Sequence, residues 1–168
     1  RYAAAKFNLG KNQRPEDLFI YNREDPESMR RMHWIDGRPQ LRSFGLHGSP
    51  AADAWFNQGL LTLREGRDQL GFRTEEMKLL GPHNHLNALA ALLAVRAASG
   101  CETGIRTGLS SFEPIAHRLE PIVDLDGVRY INDSKATNVD AARYALEAMD
   151  RPVIWLAGGI DKGNDYGP

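Results

Sequence analysis

The sequence predicts an α/β fold: a mixed sheet with an antiparallel edge hairpin, followed by the start of a second module built as strand, helix, strand. Three observations carry this. Short apolar runs of strand type alternate with helical segments through the first part of the chain. Between Ala54 and Leu80 the texture changes to two alternating runs about a Gly-bearing polar turn. Near Pro114 the pattern restarts, with apolar runs about an Asp-Gly pair, then a helix, then an apolar run closed by glycines.

Taken in order, Arg1 to Lys6 reads as helix, with no Ser, Thr, Asp or Asn ahead of it as a cap, and its tail reaches roughly Leu9. A polar turn spans Lys11 to Pro15. Leu18 to Asn22 is a short strand, Pro26 to Arg31 a helix with proline in its first turn, and Leu41 to Leu46 another strand. The alternating runs Trp55 to Leu63 and Gln69 to Leu79 flank Arg64-Glu65-Gly66-Arg67 and read as a hairpin at the sheet edge. Asn84 to Ser99 is the clearest helix, its apolar face made by Leu86, Leu89, Leu92, Leu93 and Val95, with Asn84 as N-cap and Gly100 at the C-cap. A shorter helix runs from about Glu102 to Ser110. Strands Glu120 to Leu125 and Val128 to Asn132 then flank Asp126-Gly127, a tight-turn dipeptide. Asn138 or Asp140 starts a helix to Met149, and Val153 to Ala157 reads as a buried strand running into a turn. The restart near Pro114 is the candidate boundary between 1–113 and 114–168. A helix without a cap at one end and a strand without a covering helix at the other predict a chain cut from something longer at both ends.

Composition narrows the function classes. A net charge of −1 leaves no basic footprint for nucleic acid. A single cysteine, Cys101, excludes an internal disulfide framework and suits a reducing compartment. No apolar run approaches membrane-spanning length, and the alanine-rich start lacks a signal-peptide pattern, so the cytoplasm is the expected location.

The densest polar constellation is Asn132-Asp133-Ser134-Lys135-Ala136-Thr137-Asn138, at the end of an apolar strand and the start of a helix. In open α/β sheets ligands lie at the carboxyl ends of strands, beside helix N-termini that favour anions. Asp133 offers acceptors, Lys135 a charge and Thr137 a hydroxyl, although a loop with an N-cap would share this composition. The run after Val153-Ile154-Trp155-Leu156 ends similarly, in Gly158-Gly159-Ile160-Asp161-Lys162-Gly163. Gly158 and Gly163 have phosphate-loop spacing, but Asn164-Asp165 follows where Lys-Ser or Lys-Thr is required, so this is not a Walker A loop. Two adjacent parallel strands ending in lysine-bearing loops predict a shared anion site. His83-Asn84-His85-Leu86-Asn87 lacks a third ligand at metal-site spacing. A capping Asn with another amide one turn on suits a planar base or a plain helix start. Arg118 has the fork geometry for phosphate oxygens, although an ordinary surface arginine reads the same way. Lys6 alone reads as a solvated helix lysine.

Together, Tyr2 to Lys6, Met77-Lys78-Leu79, Gly81 to Ala91, His117-Arg118, Gly127 to Val139 and Gly158 to Lys162 resemble the Mur ligases, and within them the family that adds D-glutamate. The resemblance runs nearly end to end and is weak between Glu24 and Arg64. It implies that 1–113 is the C-terminal half of a central P-loop-type ATP-binding domain and 114–168 the first part of a Rossmann-like, amino-acid-binding C-terminal domain. It implies an ATP-dependent ligase of peptidoglycan synthesis that joins UDP-N-acetylmuramoyl-L-alanine to D-glutamate through an acyl phosphate. By position it assigns Lys6 as the lysine carbamylated to hold Mg2+, Asn84 and Asn87 to the adenine, Arg118 to the ATP phosphates and Asp133 to the nucleotide's sugar side. Lys135, Thr137 and Lys162 fall around D-glutamate and the transferred phosphate, with Lys6, Arg118 and Lys135 serving catalysis.

No G-x-x-x-x-G-K-[ST] occurs in the chain, so the chain alone is expected to be inactive and to bind ATP weakly or not at all. Two alternatives stay open: a Mur-type ligase for a different amino acid, and a non-catalytic nucleotide-binding or scaffold module. The cations at Lys6, Arg118, Lys135 and Lys162 argue against the second.

Overall fold

The computed structural model describes residues 2–35, 38–47, 51–79, 81–160 and 163. The chain divides into two compact units, one comprising Arg1–Met77 with His85–Ser111, the other Lys78–Asn84 with Phe112–Pro168.

In the first unit α1 (Tyr2–Phe7) passes into a single 3-10 turn, and β1 (Leu18–Asn22), α2 (Pro26–Arg31) and β2 (Gln40–Gly45) follow. Asp25 caps α2 by accepting from the Ser28 amide at 2.7 Å, and Pro26 takes the first helical position, where a missing N–H costs nothing. Next come β3 (Ala54–Asn57), β4 (Leu60–Glu65) and β5 (Asp68–Arg73), then α3 (Pro82–Ala97), whose residues 82–84 are counted with the second unit, and α4 (Glu102–Ser111). The five strands lie in sequence order, β1, β2 and β3 parallel, β4 and β5 antiparallel. This is the mixed sheet with an antiparallel edge that the sequence predicts.

The edge differs in detail from its prediction. The run Trp55 to Leu63 is two strands, because Gln58 and Gly59 both adopt positive φ (46° and 79°) and reverse the chain in two residues. That geometry matches the right-handed twist of paired strands. The run Gln69 to Leu79 leaves the sheet at Arg73 and enters a 3-10 turn, Thr74–Glu76. Leu61 and Leu63 on β4, Phe72 on β5, and Leu89, Leu92 and Leu93 on α3 are all buried, with Ile35 and Ile105. Arg106 of α4 donates to the Gly71 carbonyl at 3.0 Å with its guanidinium over the Phe72 ring, occupying the outer side of edge strand β5.

Both ends of α3 correct the sequence reading. The helix begins at Pro82, so Asn84 is in the first turn rather than at the N-cap, its amide donating to the Gly81 carbonyl at 3.0 Å. Proline's fixed φ suits the first helical position, which moves the start two residues earlier. At the other end Ser99, not Gly100, takes the left-handed conformation (φ 63°). Gly100 donates back to the Val95 carbonyl at 2.8 Å and Ser99 to that of Arg96 at 3.0 Å, the paired bonds of a Schellman motif. Glycine is needed at 100 for close approach, since a Cβ there would lie 2.8 Å from the Val95 carbonyl oxygen.

Beyond β1, the Glu24 carboxylate accepts from the amides of Leu46 (2.9 Å) and His47 (2.7 Å), and its Oε1 lies 3.0 Å from His47 Nδ1. A Cβ on Gly45 would sit 2.6 Å from that oxygen, so glycine makes the room. Burial would raise the Glu24 carboxyl, but the two amides and the His47 ring together hold it below the ordinary 4.5. A depressed folded value means stability present above pH 4.5 and lost as pH falls through the folded value. Glu24→Gln is therefore expected to flatten the acid limb of a urea-midpoint against pH profile in that window.

The second unit contains the hairpin β6 (Glu120–Leu125) and β7 (Val128–Asn132), then α5 (Val139–Glu147). Asp126 and Gly127 both take positive φ (50° and 80°), the two-residue turn their identities predict. Asn138 caps α5, its Oδ1 accepting from the Ala141 amide at 2.8 Å. Asn138→Ala is expected to lower the stability of the chain by about 1 kcal/mol in urea denaturation.

Val153 to Ala157 is not the buried strand read from sequence. These residues pair with no strand among those described, and Ile154 and Leu156 are 91% and 92% exposed. An apolar run becomes a parallel strand only with a ladder partner and covered faces, and among the described residues β7 pairs with no strand but β6. Among the described residues the adjacent parallel strands that a shared anion site requires are thus not formed. Lys162 lies outside the described residues.

Candidate functional site

In the second unit a tight turn carrying Arg118 is fastened to the loop that leaves β7. The turn is strained at both flanks of Arg118, with His117 at φ 68° and Leu119 at φ 44°, conformations that L residues with bulky side chains rarely adopt. Hydrogen bonds from several directions hold it. The Leu119 amide donates to Asp133 Oδ1 at 3.0 Å, the Lys135 amide to the His117 carbonyl at 3.1 Å, and the His117 amide to Glu120 Oε2 at 2.7 Å. Asn132 Nδ2 lies 2.8 Å from His117 Nδ1 and donates to Glu120 Oε2 at 3.3 Å. Inside the loop the Ser134 amide donates to Asn132 Oδ1 (3.1 Å) and the Ala136 amide to the Asp133 carbonyl (2.8 Å). These local bonds are what Asn and Asp side chains supply in turns.

The consequence is a polar surface of defined shape. Arg118, Lys135 and Thr137 are exposed, while Asp133 is half-buried and Leu119 is buried beneath the turn. Asn84 also belongs to this unit, on the first turn of α3. One residue before it, His83 faces the Tyr144 ring, with centroids 6.2 Å apart. Burial pushes His83 below the ordinary 6.5; the Asp133 carboxylate opposes this, and the Arg118 guanidinium adds to it. Asn87, three residues past Asn84 and therefore on the same side of the helix, belongs to the first unit, as does Lys6, exposed in the last turn of α1.

The structure thus brings Arg118, Asp133 and Lys135 together through the backbone of one turn and one loop. His117, Glu120 and Asn132, which hold that pairing, had no role in the sequence reading. Glu120 three residues past His117 was the one local signal. The positive φ of Leu119 has none, because it is imposed by Asp133, fourteen residues on. Among the described residues no group of three or more His, Cys, Asp or Glu side chains could hold a metal ion, and no helix is long and apolar enough to cross a membrane.

This arrangement, a mixed sheet followed by a unit with cations at the end of a strand, defines a class that comparison with known proteins identifies. The chain belongs to the Mur ligase family: residues 1–95 match the Mur ligase middle domain. It is 42% identical to UDP-N-acetylmuramoylalanine--D-glutamate ligase of Salinibacter ruber, over 98% of this chain and 36% of that protein. It is 41% identical to the ligase of the same name from Porphyromonas gingivalis, over 98% of this chain and 37% of that one. The counterpart from Lacticaseibacillus casei is 40% identical over 96% of this chain and 34% of its own length. The chain therefore spans little more than a third of the curated relatives it matches. Among solved structures, MurF from Acinetobacter baumannii superposes with a TM-score of 0.69 at 19% identity, covering 85% of this chain and 31% of that one. A pseudomurein peptide ligase type C from Methanothermus fervidus gives 0.67 at 16% identity, covering 89% and 37%. At such identities these structures speak for the fold.

Proposed function

We propose that the chain is a segment of a cytoplasmic, ATP-dependent ligase that joins D-glutamate to UDP-N-acetylmuramoyl-L-alanine in peptidoglycan precursor synthesis. The observation that carries this reading is near-full coverage of the chain by relatives of that name, with the Asn132-to-Asn138 loop fastened to the Arg118 turn. In the reaction the terminal phosphoryl group of ATP moves to a carboxylate oxygen of the acceptor, releasing ADP. The D-glutamate amine then attacks the acyl carbon, the amide forms, phosphate leaves with the former carboxylate oxygen, and the amine gives up a proton.

Each assigned side chain has a physical task. Arg118 spans phosphate oxygens, and the bracing of its turn orients it before the ligand arrives, which lowers the cost of reaching the transition state. Lys135, Thr137 and Lys162 meet the D-glutamate carboxylates and the moving phosphate, Asn84 and Asn87 the adenine, and Asp133 the sugar side of the nucleotide. Lys6, carbamylated, would supply oxygen ligands to Mg2+. A hard dication takes about six oxygen ligands, and among the described residues no cluster of three or more His, Cys, Asp or Glu side chains stands beside Lys6 to complete them.

The test is phosphate release by the full-length protein from ATP and UDP-N-acetylmuramoyl-L-alanine, with D-glutamate, L-glutamate, L-lysine or meso-diaminopimelate as the amine. Turnover with D-glutamate alone is expected. Turnover with another amino acid makes the protein a different Mur-type ligase, and none with any makes it a non-catalytic module.

A further inference from the structure

Three side chains brace the candidate site without a task of their own in the proposed reaction, and the hairpin register places two of them. Glu120 opens β6 and Asn132 closes β7, and the two are paired across the strands at the open end of the hairpin. Residues opposite each other on a ladder send their side chains to the same face. The pair therefore stands where the Arg118 turn enters the hairpin and the polar loop leaves it. One carboxylate oxygen, Glu120 Oε2, accepts both from the His117 amide at 2.7 Å and from Asn132 Nδ2 at 3.3 Å.

These bonds fix the third side chain, the His117 ring. Asn132 Oδ1 accepts from the Ser134 amide, a group that can only donate, and Asn132 Nδ2 gives a proton to the Glu120 carboxylate. The amide is thus oriented, and its Nδ2 is the group lying 2.8 Å from His117 Nδ1. That nitrogen must accept, so the neutral ring carries its proton on Nε2. Glu120 Oε2 could draw a proton to Nδ1 instead, but at 3.6 Å it lies beyond hydrogen-bond reach. The His117 backbone is held as well, its amide by Glu120 and its carbonyl by the Lys135 amide at 3.1 Å. A left-handed residue at φ 68° needs such support, and Arg118 follows it directly.

We propose that Glu120 and Asn132 are positioning residues for Arg118: by holding the backbone and the ring of His117, they set the turn that aims the guanidinium at the nucleotide phosphates. They act through His117 and touch no substrate. The identity of the anion rests on the ligase reading; the lock on His117 does not.

Two measurements test this. In the chain itself at alkaline pH, proton–nitrogen correlation NMR of the His117 ring is expected to show Nδ1 bare and the proton on Nε2. Asn132→Asp puts an acceptor opposite Nδ1, and the proton is then expected on Nδ1. A wild-type proton on Nδ1, or the same ring form in both proteins, overturns the proposal. In the full-length protein, Glu120→Ala is expected to raise KM for ATP about tenfold, the scale of one hydrogen bond to a charged acceptor. KM for UDP-N-acetylmuramoyl-L-alanine should stay at its wild-type value. Loss of folded protein would instead lower kcat and leave both KM values in place. Glu120→Gln keeps an oxygen that accepts from His117 and Asn132, and is expected to bring KM for ATP back to within about twofold of wild type. An unchanged KM for ATP in the Ala variant, or a Gln variant as impaired as Ala, overturns the proposal. If wild-type protein shows no turnover, the ligase reading fails and the NMR measurement alone decides.

Discussion

Asp133→Ala is expected to reduce turnover of the full-length protein about a hundredfold, the scale of loss when a positioned group shifts by an ångström, and to cost this chain about 2 kcal/mol of stability. Asp133 Oδ1 is the acceptor for the Leu119 amide, and Leu119 is held at φ 44° beside His117 at φ 68°. Left-handed conformations of this kind cost about 1–3 kcal/mol each and persist only where the surroundings impose them. Without the carboxylate the turn relaxes, and Arg118 between the two strained residues loses its position. Asp133→Asn separates the two roles, because an amide oxygen can still accept from Leu119 while the charge is gone. Urea denaturation should then show near wild-type stability for Asn, with ADP release still depressed. Equal activity in wild type and the Ala variant would show that the fastening of turn to loop does not matter to the reaction.

Gly81→Ala carries the second large effect, an expected loss of about 3 kcal/mol, adding the cost of a left-handed non-glycine residue to that of overpacking. At φ 90° the added methyl would sit 2.8 Å from the Ala148 Cβ and 3.1 Å from the His83 ring. Relief requires either α5 or the first turn of α3 to move. The first turn of α3 holds Asn84, so the full-length variant should also bind ATP more weakly than its stability loss explains. Thermal denaturation of the chain and ATP titration of the full-length protein, compared with the mild Asn138→Ala variant, check both parts. A stability change under about 1 kcal/mol would mean that the close approach at Gly81 is relieved at little cost.

What the sequence made legible were features decided by neighbouring residues. Asp126-Gly127, Pro26 and Asn138 each act through their own backbone preference or a side chain reaching three residues on, and all appear where expected. The turn at Gln58 leaves no trace in the sequence, because glutamine rarely takes the first place of a turn with two positive φ angles; the pairing of β3 with β4 imposes it. Gly100 marks the helix end as its identity predicts, but its smallness answers a close backbone approach while Ser99 takes the left-handed place. The hydrophobicity of Val153 to Ala157 predicts a strand, but pairing partners are not written in a run itself. At the candidate site the polar loop was visible as composition. Its union with the Arg118 turn was not, because that depends on bonds between residues about fifteen apart, such as Asn132 to His117 and Asp133 to Leu119.

The most direct test of the ligase reading follows the oxygen atoms. Full-length protein is given ATP, D-glutamate and UDP-N-acetylmuramoyl-L-alanine bearing heavy oxygen in both carboxylate positions, and the products are weighed by mass spectrometry. The account predicts one labelled oxygen in the released phosphate, the other in the new amide, and a nucleotide product heavier by one glutamyl residue. Phosphate released without label, or a nucleotide product that has gained no glutamate, would contradict it.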